Sequence, residues 1–190
     1  MKNYLLFILF AISFLISGCE STDPGPSVQG PSEYTITMDK GFLANQSIVL
    51  TNTASNDDVH FLSSFGITHI KSESLEEKSN NRLDKKFTFI DFGWTGGTTT
   101  GTKEAVSATN ELAPSAGDIT LTFLNGDELI VNGIPKGSPV TVSNYNAIGE
   151  DITGELNFIT RIDYSHSGQL KFADQCKIKL AFKLKRGANK

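Results

Sequence analysis

Two stretches near the C-terminus constrain the fold more than anything else in the chain. Leu156, Phe158, Thr160, Ile162 and Tyr164 fall on every second residue. After a polar interval at 165–168 the chain returns through Leu170 and Phe172, and the alternation then runs through Cys176, Ile178, Leu180, Phe182 and Leu184. Successive side chains of a strand point to opposite faces, so a period of two marks a strand with one face in a core. The spacing therefore predicts a long antiparallel hairpin turning at Ser165 to Gly168.

The same period recurs upstream. Tyr34, Ile36 and Met38 alternate with threonines, and Ile48 and Leu50 alternate with Val49 and Thr51. Val59 to Ile70 reads as extended chain broken at Gly66. Phe87 to Phe92 is apolar on nearly both faces, as a central strand requires. Ile119, Leu121 and Phe123 lead into Asn125-Gly126 and then Glu128 to Val131; Asn-Gly between extended runs is a strong hairpin signal. Asn132-Gly133 and 135–139 are expected to be turns, ahead of a strand at Val140 and Val142. Lys71 to Lys86 offers only Leu75 and Leu83 as large apolar residues, so it reads as an exposed excursion rather than a docked helix.

These runs amount to nine or ten strands with no required helix. The expected fold is all-β, an antiparallel β-sandwich spanning 34–186 with a short tail at 187–190. The alternative is a lipocalin-like β-barrel. The sandwich is favoured because no glycine kink recurs from strand to strand, as barrel closure tends to demand.

The first 33 residues have a different character. Lys2 precedes an unbroken apolar run from Tyr4 to Ile16, followed by the small residues Ser17 and Gly18, which is the build of a secretory signal peptide. Thirteen apolar residues fall short of the roughly 20 that span a bilayer as a helix. Ile16-Ser17-Gly18-Cys19 resembles the lipobox of bacterial lipoproteins. That resemblance implies cleavage between Gly18 and Cys19, a lipid anchor bearing palmitate on Cys19, and a membrane partner reached through that lipid. Residues 19–33, rich in Pro, Gly and Ser, read as a solvated tether. Glu20 directly after the Cys resembles outer-membrane sorting, so the expected location is the bacterial envelope, as an outer-membrane lipoprotein.

A second resemblance lies in the domain. Ala44-Asn45-Gln46-Ser47-Ile48-Val49-Leu50-Thr51-Asn52 and a closing block with Tyr145, Gly149, Ile152, Gly154, Leu156, Phe158 and Lys183-Leu184-Lys185-Arg186 resemble small all-β envelope lipoproteins of the Bacteroidota. It implies a sandwich and an envelope location, and brings no active site with it.

Residue chemistry narrows the function further. The formal net charge is −4, and nucleic-acid binding needs a basic face, so no nucleic-acid partner is expected. With Cys19 lipidated, Cys176 has no intramolecular partner and reads as a buried small hydrophobe. The glycine-rich 93–103 stretch departs from phosphate-loop spacing because Thr102 separates Gly101 from Lys103. His60, His69 and His166 lack metal-ligand spacing, and no nucleophile elbow occurs, so neither a metal nor another cofactor is expected. Asn144, Asn146, Glu150 and Asp151 collect oxygen ligands around Gly149 and form a calcium candidate, although turns use the same residue types. Adjacent acids such as Asp57-Asp58 point to opposite faces of a strand and are not a catalytic pair.

Lys177, Lys179, Lys183 and Lys185 form a basic stripe opposite the final apolar face, with Glu155 and Asp163 expected to temper it. The stripe reads as a solvated strand face or guarded edge, or else as a dock for an anionic partner. Trp94 and Tyr145 are the aromatic contact candidates, placed near loops where rings stack on sugars or anchor proteins. Taken together, the residues point to a non-enzymatic binding or structural module whose partner is a glycan or an envelope protein. The alternatives are a carrier of a small apolar ligand and a hydrolase with dispersed carboxylates.

Overall fold

The computed structural model describes residues 32–41, 43–52, 57–108 and 112–190. The leader, Gly18, Cys19 and nearly all of the tether lie outside the described residues. Twelve strands form among those described: β1 Glu33–Met38, β2 Ser47–Thr51, β3 Asp57–Leu62, β4 Ile67–Glu73, β5 Glu76–Glu77, β6 Phe89–Thr95, β7 Gly101–Val106, β8 Ser115–Thr122, β9 Asp127–Pro135, β10 Pro139–Tyr145, β11 Asp151–His166 and β12 Gln169–Lys185. A single 3-10 turn, Lys85–Phe87, interrupts them. The all-β antiparallel fold expected from the alternation is the fold that forms.

The strand number exceeds nine or ten because several long lines of chain are each divided in two. β2 pairs with β5 while β3 pairs with β4. β7 and β8 both pair with β6, along different stretches of it. β9 and β10 likewise share β11. Counted as lines, the described strands make eight antiparallel passes, each bonded to the next, and β12 pairs with β1. The pairing therefore returns to its start, and the sheet has a barrel-like closure.

Its interior is filled in the manner of a sandwich. β6 and β12 lie four passes apart in either direction round the ring. Even so, the Trp94 and Phe182 rings stack with centroids 5.6 Å apart, and Phe92 lies 5.8 Å from Phe182. Opposite walls thus touch across the core. Tyr34 on β1 hydrogen-bonds Ser72 on β4 within the same interior. Gly154 on β11 makes room for the Phe182 ring: a Cβ there would lie 2.7 Å from that ring and 2.4 Å from the Thr141 carbonyl.

The expected hairpin at the C-terminus forms, closed by Ser167 and Gly168 at φ 48° and 77°. The Asn125-Gly126 hairpin also forms, with Gly126 N–H donating to the Phe123 carbonyl at 3.1 Å. Asn132-Gly133 differs from expectation. It lies inside β9, where the β8–β9 register shifts, and the turn comes after Pro135. The 71–86 segment is less exposed than its charge suggests, because Leu75, Glu77 and Leu83 are buried.

The beginning of β1 and the residues after β12 meet at the same end of the ring. That end holds the beginning of β1, the turns at 63–66, 96–100 and 146–150, and residues 186–190. The last of these continue β12 alongside β3: Gly187 N–H donates to the Val59 carbonyl, Lys190 N–H to Phe61, and Ser63 N–H to Lys190. Residues 187–190, expected as a tail, thus cover a β3 edge that the short β1 does not reach.

Candidate binding groove

Trp94 is corrected by the fold. Expected near a loop as a contact residue, it is wholly buried, because the inward register of β6 aims Ile90, Phe92 and Trp94 into the core. Its indole Nε1 has no hydrogen-bond partner among the described residues. Tyr145 is half-buried, and its hydroxyl lies 3.0 Å from Thr68 Oγ1 while the Arg186 guanidinium sits 5.0 Å over its ring. Both aromatics hold the structure together rather than presenting a tip.

Three of the four calcium candidates, Asn146, Glu150 and Asp151, are engaged by protein groups. Asp151 pairs with Lys185 at 2.6 Å and Lys183 at 3.3 Å, and the Lys185 hydrogen bond above all holds its carboxyl below the usual range. Glu150 accepts from the Ala147 N–H, and the Asn146 carbonyl accepts from Arg186. Among the described residues, no group of three His, Cys, Asp or Glu side chains is arranged to hold a metal.

The hairpin register brings together two histidines that are nine residues apart in sequence. His60 and His69 face each other across β3 and β4, with rings 5.3 Å apart and edge to face. His60 Nδ1 lies 2.8 Å from Asp58, and His69 Nε2 lies 3.0 Å from Asp91. Asp91 in turn faces Asp118 across β6 and β8. Burial, followed by the Asp91 charge, raises the Asp118 carboxyl above its usual value. At the opposite end, His166 Nδ1 is bonded to the buried Asp127 at 2.6 Å.

A concave surface with several converging polar groups lies on the outer wall of β2, β1, β12 and β11. Ser47 faces Thr37, Thr37 faces Lys179, and Lys179 faces Asn157, so one side chain from each of four adjacent strands stands in a single row. With neighbouring strands about 4.8 Å apart, the row spans about 14 Å. A second row places Lys177 beside Ile159, whose side chain is exposed. Asp39, Asn45 and Gln46, from between β1 and β2, also line this groove, whose volume is about 660 Å³. Asn45 sits at φ 59°, a conformation asparagine tolerates better than most residues.

Charges in this groove are distributed unequally. Lys179 pairs with Glu155 at 2.5 Å, and that bond leads in lowering the Glu155 carboxyl. Asp163 pairs with Arg161 instead, so only the first of its two expected partners tempers the stripe. Lys183 and Lys185 share Asp151. Among the described residues, no carboxylate lies within ion-pair distance of the Lys177 ammonium. The nearby Asp39 accepts the Lys177 backbone N–H at 2.8 Å.

The lysines of this groove were visible in the sequence as part of the basic stripe, whereas Thr37, Ser47 and Asn157 carried no signal of their own. Their alternation identifies them as outward, but only the register places them in one row. Compared with family models, with curated proteins and with solved structures, the chain finds no match in any of the three.

Proposed function

We propose that the protein is an envelope lipoprotein held to the membrane through Cys19, and that its β-domain is a non-enzymatic binding module with the β2–β1–β12–β11 groove as its contact face. The observation that carries the module reading is the four-strand polar row, where the Ser47 and Thr37 hydroxyls, the Lys179 ammonium and the Asn157 amide converge with the Asp39, Asn45 and Gln46 side chains in a concavity. The anchor reading rests on the Ile16-Ser17-Gly18-Cys19 motif. A contact face at Trp94 and Tyr145 is given up, since one ring is in the core and the other is bonded at the rim.

A carrier of a small apolar ligand is less well supported. A carrier needs an interior chamber, whereas Phe158, Ile162, Ile178, Leu180 and Phe182 are buried in the core and Phe182 reaches the far wall. The hydrolase reading has one favourable observation, the Asp91–Asp118 pair in register. Asp91, however, is already bonded to His69, and Asp118 is exposed on the outside of the wall.

Two measurements test the proposal. Cell fractionation of Cys19→Ala should move the protein out of the membrane fraction with its fold intact; continued sedimentation with membranes would refute the anchor. Glycan-array binding of the full chain should detect a ligand that is lost in a Thr37→Ala/Asn157→Ala double variant. Unchanged binding in that variant would remove the groove as the contact face.

A further inference from the structure

We infer that the groove takes an anionic oligosaccharide, held by hydroxyl and amide groups along the four-strand row and by the Lys177 ammonium. This deepens the binding-module reading and rests on it.

The row argues for a polyhydroxylated ligand. Ser47 and Thr37 present hydroxyls that donate and accept, and Asn157, Asn45 and Gln46 present amides that do both. Except for the Asn157 amide, which reaches Glu155 at 3.0 Å, none of these side-chain groups has a recorded protein partner among the described residues. A surface with alternating donors and acceptors suits the vicinal hydroxyls of a sugar chain. It suits an apolar ligand poorly, because each buried hydroxyl or amide left unbonded costs about 1–3 kcal/mol.

A polypeptide fits less well. β12 and β1, the two central strands of the row, are bonded to strands on both sides there, so the middle of the row offers no free edge for strand addition.

Charge selects the anion. The lining residues carry two ammonium groups, Lys177 and Lys179, against the one carboxylate of Asp39, and that carboxylate is engaged by backbone. Lys179 already has Glu155, so Lys177 is the cation left for a ligand. A hydrogen bond assisted by its charge would fix where the acidic sugar sits along the row.

The test uses the full chain immobilised in detergent, with oligogalacturonate and a neutral malto-oligosaccharide of equal length as probes. Oligogalacturonate should bind and the neutral chain should bind at least tenfold more weakly. Lys177→Gln should weaken oligogalacturonate about tenfold, while Lys183→Gln, on the same strand face but paired with Asp151, should leave it unchanged. Equal binding of both probes, or no effect of Lys177→Gln, would overturn the anionic assignment and leave the groove standing. Binding of neither probe would overturn the assignment as well. Oligogalacturonate binding that survives Thr37→Ala/Asn157→Ala would instead remove the groove itself.

Discussion

At the scale of single residues, buried polar groups mark where the domain is most sensitive. Trp94 places a large ring in the core but leaves Nε1 without a partner, so the residue gains from area and loses from an unmet donor. Trp94→Phe removes that donor along with part of the ring and should cost less than about 1.5 kcal/mol, as near-conservative core swaps do. Trp94→Ala should cost about 3–5 kcal/mol. Urea unfolding of the two variants would check this; equal losses would mean that the indole N–H is satisfied. Glu77 is the converse case, a buried carboxylate fully engaged by Arg82 at 2.6 and 3.0 Å and by Asn80 at 3.2 Å. Arg82 hydrogen bonds lead in lowering its pKa, against burial, which acts to raise it. A lowered folded value means stabilisation that is complete above the ordinary glutamate pKa of about 4.3 and is lost as pH falls through the folded value. Glu77→Gln should therefore cost about 1–2 kcal/mol at pH 7, at the modest end because Arg82 is 40% exposed. The gap from wild type should narrow as pH falls below the ordinary glutamate pKa of about 4.3 in denaturant titrations; a gap that does not change with pH would assign the loss to something other than the charge.

At the scale of elements, the long β11–β12 hairpin organises the core, and Gly154 is its tightest position. A Cβ there would meet both Phe182 and the Thr141 carbonyl, so Gly154→Ala should destabilise by about 1–3 kcal/mol through overpacking. Near-UV circular dichroism should change with it, because Phe182 stacks on Trp94; an unchanged melt would mean that β11 shifts freely. This hairpin was also the most legible element in the sequence, since its inward positions 156 to 164 and 176 to 184 are the ones that end up facing the core. Trp94 was misplaced because the glycines and threonines after it suggested a loop, while β6 in fact runs on to Thr95. Closure of the ring was not legible either, because it depends on β1 pairing with β12, a contact between residues 33–38 and 178–183 that no local pattern encodes. The groove was hidden for the same reason. Period-two alternation tells outward from inward, whereas a row across Ser47, Thr37, Lys179 and Asn157 requires three registers at once.

At the scale of the whole molecule, the closed pairing removes most edges, and one that it leaves, on β3, is covered by residues 187–190. Three backbone hydrogen bonds join that segment to β3 and its turn, and Lys190 Nζ adds an ion pair to Asp58 at 2.7 Å. The ion pair is exposed on both sides and contributes little. The backbone bonds matter more, because without them the β3 edge presents unpaired N–H and C=O groups to solvent and to other chains. Truncation after Arg186 should therefore lower stability by about 1–3 kcal/mol, which for a domain of this length is a Tm drop of about 3–10 °C. It should also promote association that grows with protein concentration, visible in light scattering. Lys190→Ala, which keeps the backbone, should change the Tm by less than about 2 °C. If the point variant lost as much as the truncation, the ion pair would be holding the edge; if neither changed the melt or the scattering, β3 would not need its cover.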